Sequence, residues 1–330
     1  MPIHLATSRD IGSAVRRTLG LPVPFVPDNL LLGPCATDPE IHEEARSRYW
    51  DLDRGERARF HASSRAVTEA IASRSRVILW TSRLWSDVAA LWSLCAWRLL
   101  CRPLEPKIDL ITVGSAEDHA FGRGTLRVTT ADVRRHLDTQ RPLSLTRVRE
   151  MALFWRALAS RTPILAARGR RGGPEREDLQ TIGTYQAGFF PRREGSRLAL
   201  SRFDDLLLTC LGDDWATAVD PLRVRSAVGK ELWKWIAHTG DFFPAMRLRA
   251  WAEHEGAEAA LERRPYRPER PMQEWQYRLS AVGKRIQREG LDDVARGAPL
   301  VMGGATAYDP AAPWVVMEEG SDRPTLRQMP

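Results

Sequence analysis

Cysteine is scarce in this chain: four residues (Cys35, Cys95, Cys101 and Cys210) occur among 330, and no two are close-set. That usage excludes a disulfide framework and a zinc site of the Cys-x-x-Cys kind, and it fits a reducing cytoplasm. Cys95 and Cys101 fall in an apolar helical stretch, where a thiol acts as a small hydrophobe. Long apolar runs are also missing. The most apolar one, VAALWSLCAWRLL (88–100), contains Arg98 and falls short of the ~20 residues that a bilayer requires, so no membrane partner is expected. The opening MPIHLATSRD has no basic stretch leading into an apolar one and does not read as a signal peptide. Catalytic signatures are absent as well. There is no Gly-x-Gly-x-x-Gly fingerprint, Gly-Lys-Ser/Thr phosphate loop, nucleophile elbow or His-Glu-x-x-His. Hydrolase and metalloprotease readings therefore have no motif behind them, no metal site is expected, and the cofactor is left unknown.

Positive charge is present, and unevenly. Residues 1–119 hold 15 basic and 15 acidic side chains, whereas residues 120–200 hold 16 arginines against 7 acids. A basic segment of this kind attracts phosphate or nucleic acid. It also reads as a set of solvated basic helix faces.

Apolar spacing sets the organisation. In the first 119 residues, short strand-like runs (PIHLA, LPVPFV, RVILW and KIDLITVG) alternate with amphipathic helical ones such as RDIGSAVRRTLG and SDVAALWSLCAWRLL. This alternation predicts a parallel sheet covered by helices, a three-layer Rossmann-like α/β domain over 1–119. The prolines of LPVPFV predict an edge strand or a strand start. Residues 120–195 read as an Arg-rich helical segment, broken by the Gly-rich, charged stretch RGRRGGPERED at 168–178. Residues 196–330 read as three helices followed by strands, the layout of a winged-helix-like α+β domain. The third of these helices, GDFFPAMRLRAWAEHEG, is expected to expose Arg247 and Arg249 beside Glu253 and Glu255. No internal repeat recurs at a fixed period.

The segments IHLATSRD, DNLLLGP, RSRYW and VILWTSRLWSDVAAL together resemble the bacterial family known as domain of unknown function 1835. FWRALASRTP, LALSRFDDLLL, TGDFFPAMRLRAWAEHEG, YRLSAVGKRIQREGLDD and VMGG resemble its usual C-terminal half. The likeness covers nearly the whole chain. The family has no assigned reaction, so the resemblance implies a fold and shared positions rather than chemistry. One departure is clear: the turn after the first strand, usually Gly-Asp-Ser in the family, is Thr7-Ser8-Arg9-Asp10 here.

Ligands of open parallel sheets bind beyond the carboxyl ends of the strands. Those ends supply Thr7 and Ser8, Asp28 and Asn29, Thr81 and Ser82, and Gly114 with Ser115, Glu117, Asp118 and His119. Asp28 is a candidate base or orienter, with an Asx turn or helix cap as the competing role. Gly33 with Pro34 sets a rigid turn, and Ser8 either meets a ligand or caps the following helix. His4 is a candidate catalyst, its standing raised by the resemblance, and its competing role is a hydrogen-bonded core histidine. Arg48, beside Tyr49 and Trp50, suits an anionic or planar ligand or else lies along a surface helix. Trp80 closes the third strand beside Ser82. The expected function is binding of, or action on, a small polar or phosphorylated molecule in this pocket. The alternative is nucleic-acid binding through the Arg-rich middle and the winged helix.

Overall fold

The computed structural model describes residues 1–50, 52–114, 128–163, 182–220, 227–240, 242–254, 259–264, 275–317 and 325–329. The fold is mixed α/β in two compact units, the first built on Met1–Thr162 with Met302–Ala305, the second on Gln180–Val301 with Thr306–Pro330.

In the first unit the elements are β1 (Ile3–Ala6), α1 (Arg9–Leu19), β2 (Gly33–Pro34), α2 (Pro39–Tyr49), α3 (Arg54–Ala72), β3 (Val77–Thr81), α4 (Trp85–Cys101), β4 (Ile108–Thr112), α5 (Thr130–His136), β5 (Arg141–Pro142) and α6 (Leu145–Leu158). β1, β3 and β4 run parallel, with Leu5 opposite Leu79 and Leu79 opposite Leu110, and β5 closes the edge antiparallel to β4. All five residues of β3 are buried, as befits a strand covered on both faces.

LPVPFV does not form a strand. It contributes a single parallel bridge, Phe25 to Ala6, in which Ala6 donates its N–H to Pro24 O and accepts from the Val26 N–H. Pro22, Pro24 and Pro27 have no N–H to offer, so the ladder stops at one rung. Thr7 meanwhile sends its N–H to Trp80 O on β3. Neighbouring segments thus flank β1 on both sides, and the chain reverses its direction across the sheet at this strand.

One core lies on the face carrying Ala6, Ile78, Trp80 and Ile111, covered by Ile11, Ala14 and Val15 of α1 and Val133 of α5. The first unit continues past the expected boundary at 119 because α6 needs a partner. Its stripe of Val148, Met151, Ala152, Trp155 and Leu158 is buried, and α6 packs on α4. Burying such side chains contributes about 1.5–3 kcal/mol each.

Arg98 of α4 is fully buried, with no carboxylate partner among the described residues. Its guanidinium donates to the carbonyls of Ile71, Ser73 and Pro106, and to Ser75 O at 2.9 Å. Ile71 belongs to the last turn of α3, where carbonyls lack intrahelical donors. A buried cation thus caps a helix end.

The second unit contains β6 (Arg192–Glu194), β7 (Arg197–Ala199), α7 (Arg202–Leu211), β8 (Ala216–Thr217), α8 (Ala227–Thr239), α9 (Phe242–Glu253), β9 (Leu261–Arg264), β10 (Gln276–Leu279), α10 (Ala281–Glu289), β11 (Trp314–Met317) and β12 (Thr325–Gln328). β8, β10 and β9 form an antiparallel sheet in that order. A second sheet, ordered β12-β11-β6-β7, is mixed, with only β11 and β6 parallel. Tyr308 adopts a left-handed backbone (φ 61°). A Cβ on Gly297 would lie 1.9 Å from the Tyr308 ring, so that position admits only glycine.

Candidate functional site

β1 and β3 end side by side, and α1 and α4 begin just beyond them. Thr7, Thr81 and Ser82 supply hydroxyls at these ends, and Asp87, in the first turn of α4, reaches back to them. Thr7 Oγ1 donates to Asp87 Oδ1 at 3.0 Å, and the Ser82 hydroxyl donates to Asp87 Oδ2. Ser8 bonds to the same carboxyl. Burial raises the Asp87 pKa above the usual carboxylate range, and the hydroxyls of Ser82, Thr7 and Ser8 oppose that rise. Ser8 is the N-cap residue of α1 but makes no side-chain cap bond, and the N-cap residue of α4 is Leu84, which has no polar side chain. Two helix N-termini without side-chain caps therefore flank a carboxyl group biased towards its neutral form.

The expected site residues divide between this cluster and others. Ser8 and Ser82 belong to it, Trp80 lies next to it, and His4 does not join. Trp80 donates Nε1–H to His4 Nδ1 at 3.0 Å, so His4 is a hydrogen-bonded partner within the sheet, and burial lowers its pKa. Asp28, Asn29 and Gly33 gather instead around Arg46, which is fully buried. Arg46 donates to Asp28 Oδ2, to Asn29 O at 2.7 Å and to Leu32 O. Trp50 Nε1 donates to Asp28 Oδ2 at 2.7 Å, and the Asn29 N–H reaches Oδ1 at 2.6 Å. Both oxygens of Asp28 are engaged in fixing the loop between β1 and α2. Gly33 has φ 73°, and a Cβ there would meet the Tyr49 ring at 2.7 Å, so its backbone and close packing account for it.

Arg48 is not the arginine of that cluster. It stands exposed on α2 in an i,i+4 pair with Glu44. Arg247 is likewise not on the exposed face of α9. It is buried against Asp204, with Nε 2.6 Å from Oδ1 and Nη2 2.8 Å from Oδ2. Glu117, Asp118, His119 and Ser115 lie outside the described residues, as does the stretch at 168–178.

The Asp28 and Asp204 clusters repeat one pattern. Asp-Asn-Leu-Leu-Leu at 28–32 and Asp-Asp-Leu-Leu-Leu at 204–208 each supply the carboxylate, and Arg-x-x-x-Trp at 46–50 and 247–251 each supply the guanidinium and indole. The separation from Asp to Arg is 18 residues in the first and 43 in the second, so no fixed period reveals the recurrence. Asp28→Asn is expected to lower stability by about 2–3 kcal/mol, since one of two charged partners is lost. A urea unfolding curve with an unmoved midpoint would contradict this anchoring role.

A small cavity of about 20 Å³ lies beside the Asp28 loop, lined by His42, Glu43, Phe60, Ser64 and Trp97 among others. It has room for about one water. Among the described residues, no three His, Cys, Asp or Glu side chains gather as a metal ion requires, and no helix is long and apolar enough to cross a membrane. Compared with protein-family models, curated proteins and solved structures, the chain matches none.

Asp87 carried no signal in the reading of the sequence, since an Asp opening an apolar helix reads as a first-turn acid. Ser82 stands five residues before it, but Thr7 stands 80 residues away and reaches it only through the pairing of β1 with β3.

Proposed function

We propose that the first unit is a Rossmann-like three-layer domain that binds a small polar or phosphorylated molecule over the ends of β1 and β3. Ser8 and Ser82 contact the ligand, and Asp87 presents a carboxyl group to it. The observation that carries this reading is the reversal of chain direction at β1, since such a point in a parallel sheet opens a crevice at the strand ends. The two uncapped helix N-termini favour a negative or acceptor group there. A carboxyl group biased towards its protonated form can donate a hydrogen bond to the same group instead of repelling it. If the ligand is transformed, Asp87 replaces Asp28 as the acid–base residue. The resemblance to domain of unknown function 1835 supports the same architecture. In the second unit, the order α7-β8-α8-α9-β9-β10 with sheet order β8-β10-β9 supports a winged-helix-like domain.

Native mass spectrometry of the protein purified from its own host, followed by denaturation, tests the reading. A small polar compound is expected to be released from the wild type and to be missing from Asp87→Asn. That variant is expected to melt at the wild-type temperature or slightly above it, because an amide replaces a carboxyl group that is costly to ionise in place. A bare wild-type protein, or a variant that keeps the compound, overturns the proposal.

A further inference from the structure

The cavity beside the Asp28 loop is a recess with an open mouth. Its enclosed part takes one water, but counted with the solvent at the mouth about 350 Å³ is free of atoms. That volume is at the lower end of the range for small-molecule pockets. α3 supplies part of the wall through Phe60, Ser64, Val67 and Thr68, spaced i, i+4, i+7 and i+8 on a single stripe. A core-facing stripe would be apolar throughout. Two of these four residues carry hydroxyls instead, and the Thr68 hydroxyl turns back to Ser64 O at 3.1 Å.

α4 contributes Trp97 to the same lining. Its ring is 6 % exposed and is held by His42 and Trp155, with centroids 5.2 and 6.0 Å away. Its Nε1–H is nevertheless a buried donor with no acceptor, a state that burial penalises. His42 also lines the recess but cannot accept this hydrogen. Its Nδ1 already takes the Ala36 N–H, so in the neutral ring Nε2 carries the proton. The indole therefore lacks an acceptor atom that the described residues do not supply.

Charge narrows what could supply it. Among the described residues of the lining, Asp28 and Glu43 are carboxylates and none is Lys or Arg. Asp28 is committed to Arg46 and Trp50, and Glu43 pairs with His61 Nδ1 through Oε1. An entering anion would meet two carboxylates and no cation of the lining, whereas Val26, Leu30, Pro39 and Phe60 offer apolar contact.

We propose that this recess binds a small neutral molecule whose oxygen accepts the Trp97 Nε1–H and whose apolar body lies along the α3 stripe. An alcohol or ketone on a ring or short chain has that chemistry, and a carboxylate does not. The site is formed within the first unit and stands independently of the strand-end ligand.

Ligand-observed NMR with the full chain tests it, with benzyl alcohol as the probe and benzoate as its anionic counterpart. Benzyl alcohol is expected to bind saturably, and benzoate at least about tenfold more weakly. Trp97→Phe keeps an aromatic ring but removes the donor, and is expected to weaken benzyl alcohol about two- to tenfold. Toluene, which has no oxygen, is expected to show no such loss. Should that variant melt below the wild type, Ser64→Leu decides the matter. Leucine suits a helix, fills the recess and is expected to abolish binding. Three results overturn the proposal. The first is no saturable binding of benzyl alcohol, which leaves the recess to water. The second is benzoate binding as tightly as the alcohol. The third is unchanged alcohol binding in Ser64→Leu or in a Trp97→Phe protein that melts like the wild type.

Discussion

Asp204→Ala is expected to destabilise the second unit by about 3–5 kcal/mol, the loss typical when one partner of a buried ion pair is removed. Five donor groups converge on that carboxylate. Arg247 supplies two, Trp251 Nε1 lies 2.9 Å from Oδ1, and Ser201 Oγ and Tyr308 OH lie 2.7 and 2.8 Å from Oδ2. Burial by itself would raise the Asp204 pKa, but the Arg247 guanidinium and these hydrogen bonds outweigh it and hold the group below its usual range. Alanine leaves a fully buried guanidinium, which also donates to Pro299 O at 3.1 Å, without its carboxylate, and removes one of the hydrogen bonds of the Tyr308 hydroxyl, whose residue has a strained backbone. Urea unfolding followed through the second unit measures the effect. Asp204→Leu combined with Arg247→Met should recover much of the loss, because apolar packing can replace a buried pair. A cost below about 1 kcal/mol for Asp204→Ala would place the pair in the range of exposed salt bridges.

Acid is expected to act on the first unit through His42. Its ring is buried between Trp97 and Trp155, with centroids 5.2 and 5.5 Å away, and its Nδ1 accepts the Ala36 N–H. Burial, with help from the Arg46 charge, lowers its pKa to about 3. A histidine whose folded pKa lies below its unfolded value takes up its proton more readily when unfolded. Its contribution to stability is therefore complete above about pH 6.5 and is lost as the pH falls towards 3. The loss by pH 4 is about 3 kcal/mol on this account. His42→Asn keeps an acceptor near Ala36 but cannot titrate, so the stability gap between wild type and variant should shift in favour of the variant as pH drops. A gap that stays constant from pH 7 to pH 4 would show that the imidazole is hydrated and free to charge.

The sheet was legible where burial was total. After Arg76, RVILW has no polar residue inside the strand, and such a run has few alternatives to a covered strand. LPVPFV misled because its apolar content suited a strand while its prolines could not serve one. The candidate site was less legible, and the reason is geometric. Arg48 and Arg46 have equal chemistry in RSRYW, and only helical spacing separates them: Arg46 stands one turn before Trp50 on the buried face. Arg247 and Trp251 obey the same spacing, so the buried arginine could have been chosen from the sequence in both halves. Asp87 could not, because its partners Thr7 and Ser82 meet only once β1 and β3 lie side by side.

Arg98 has a further consequence for how the first unit responds to its solvent. The peptide carbonyls surround that cation much as oxygen ligands surround a metal ion in a hard coordination sphere. Carbonyl dipoles do not titrate, and at full burial mobile ions scarcely screen them. The joint between α3 and α4 is thus held by an internal solvation shell, one whose strength depends little on buffer or ionic strength, unlike an exposed carboxylate-paired arginine such as Arg48.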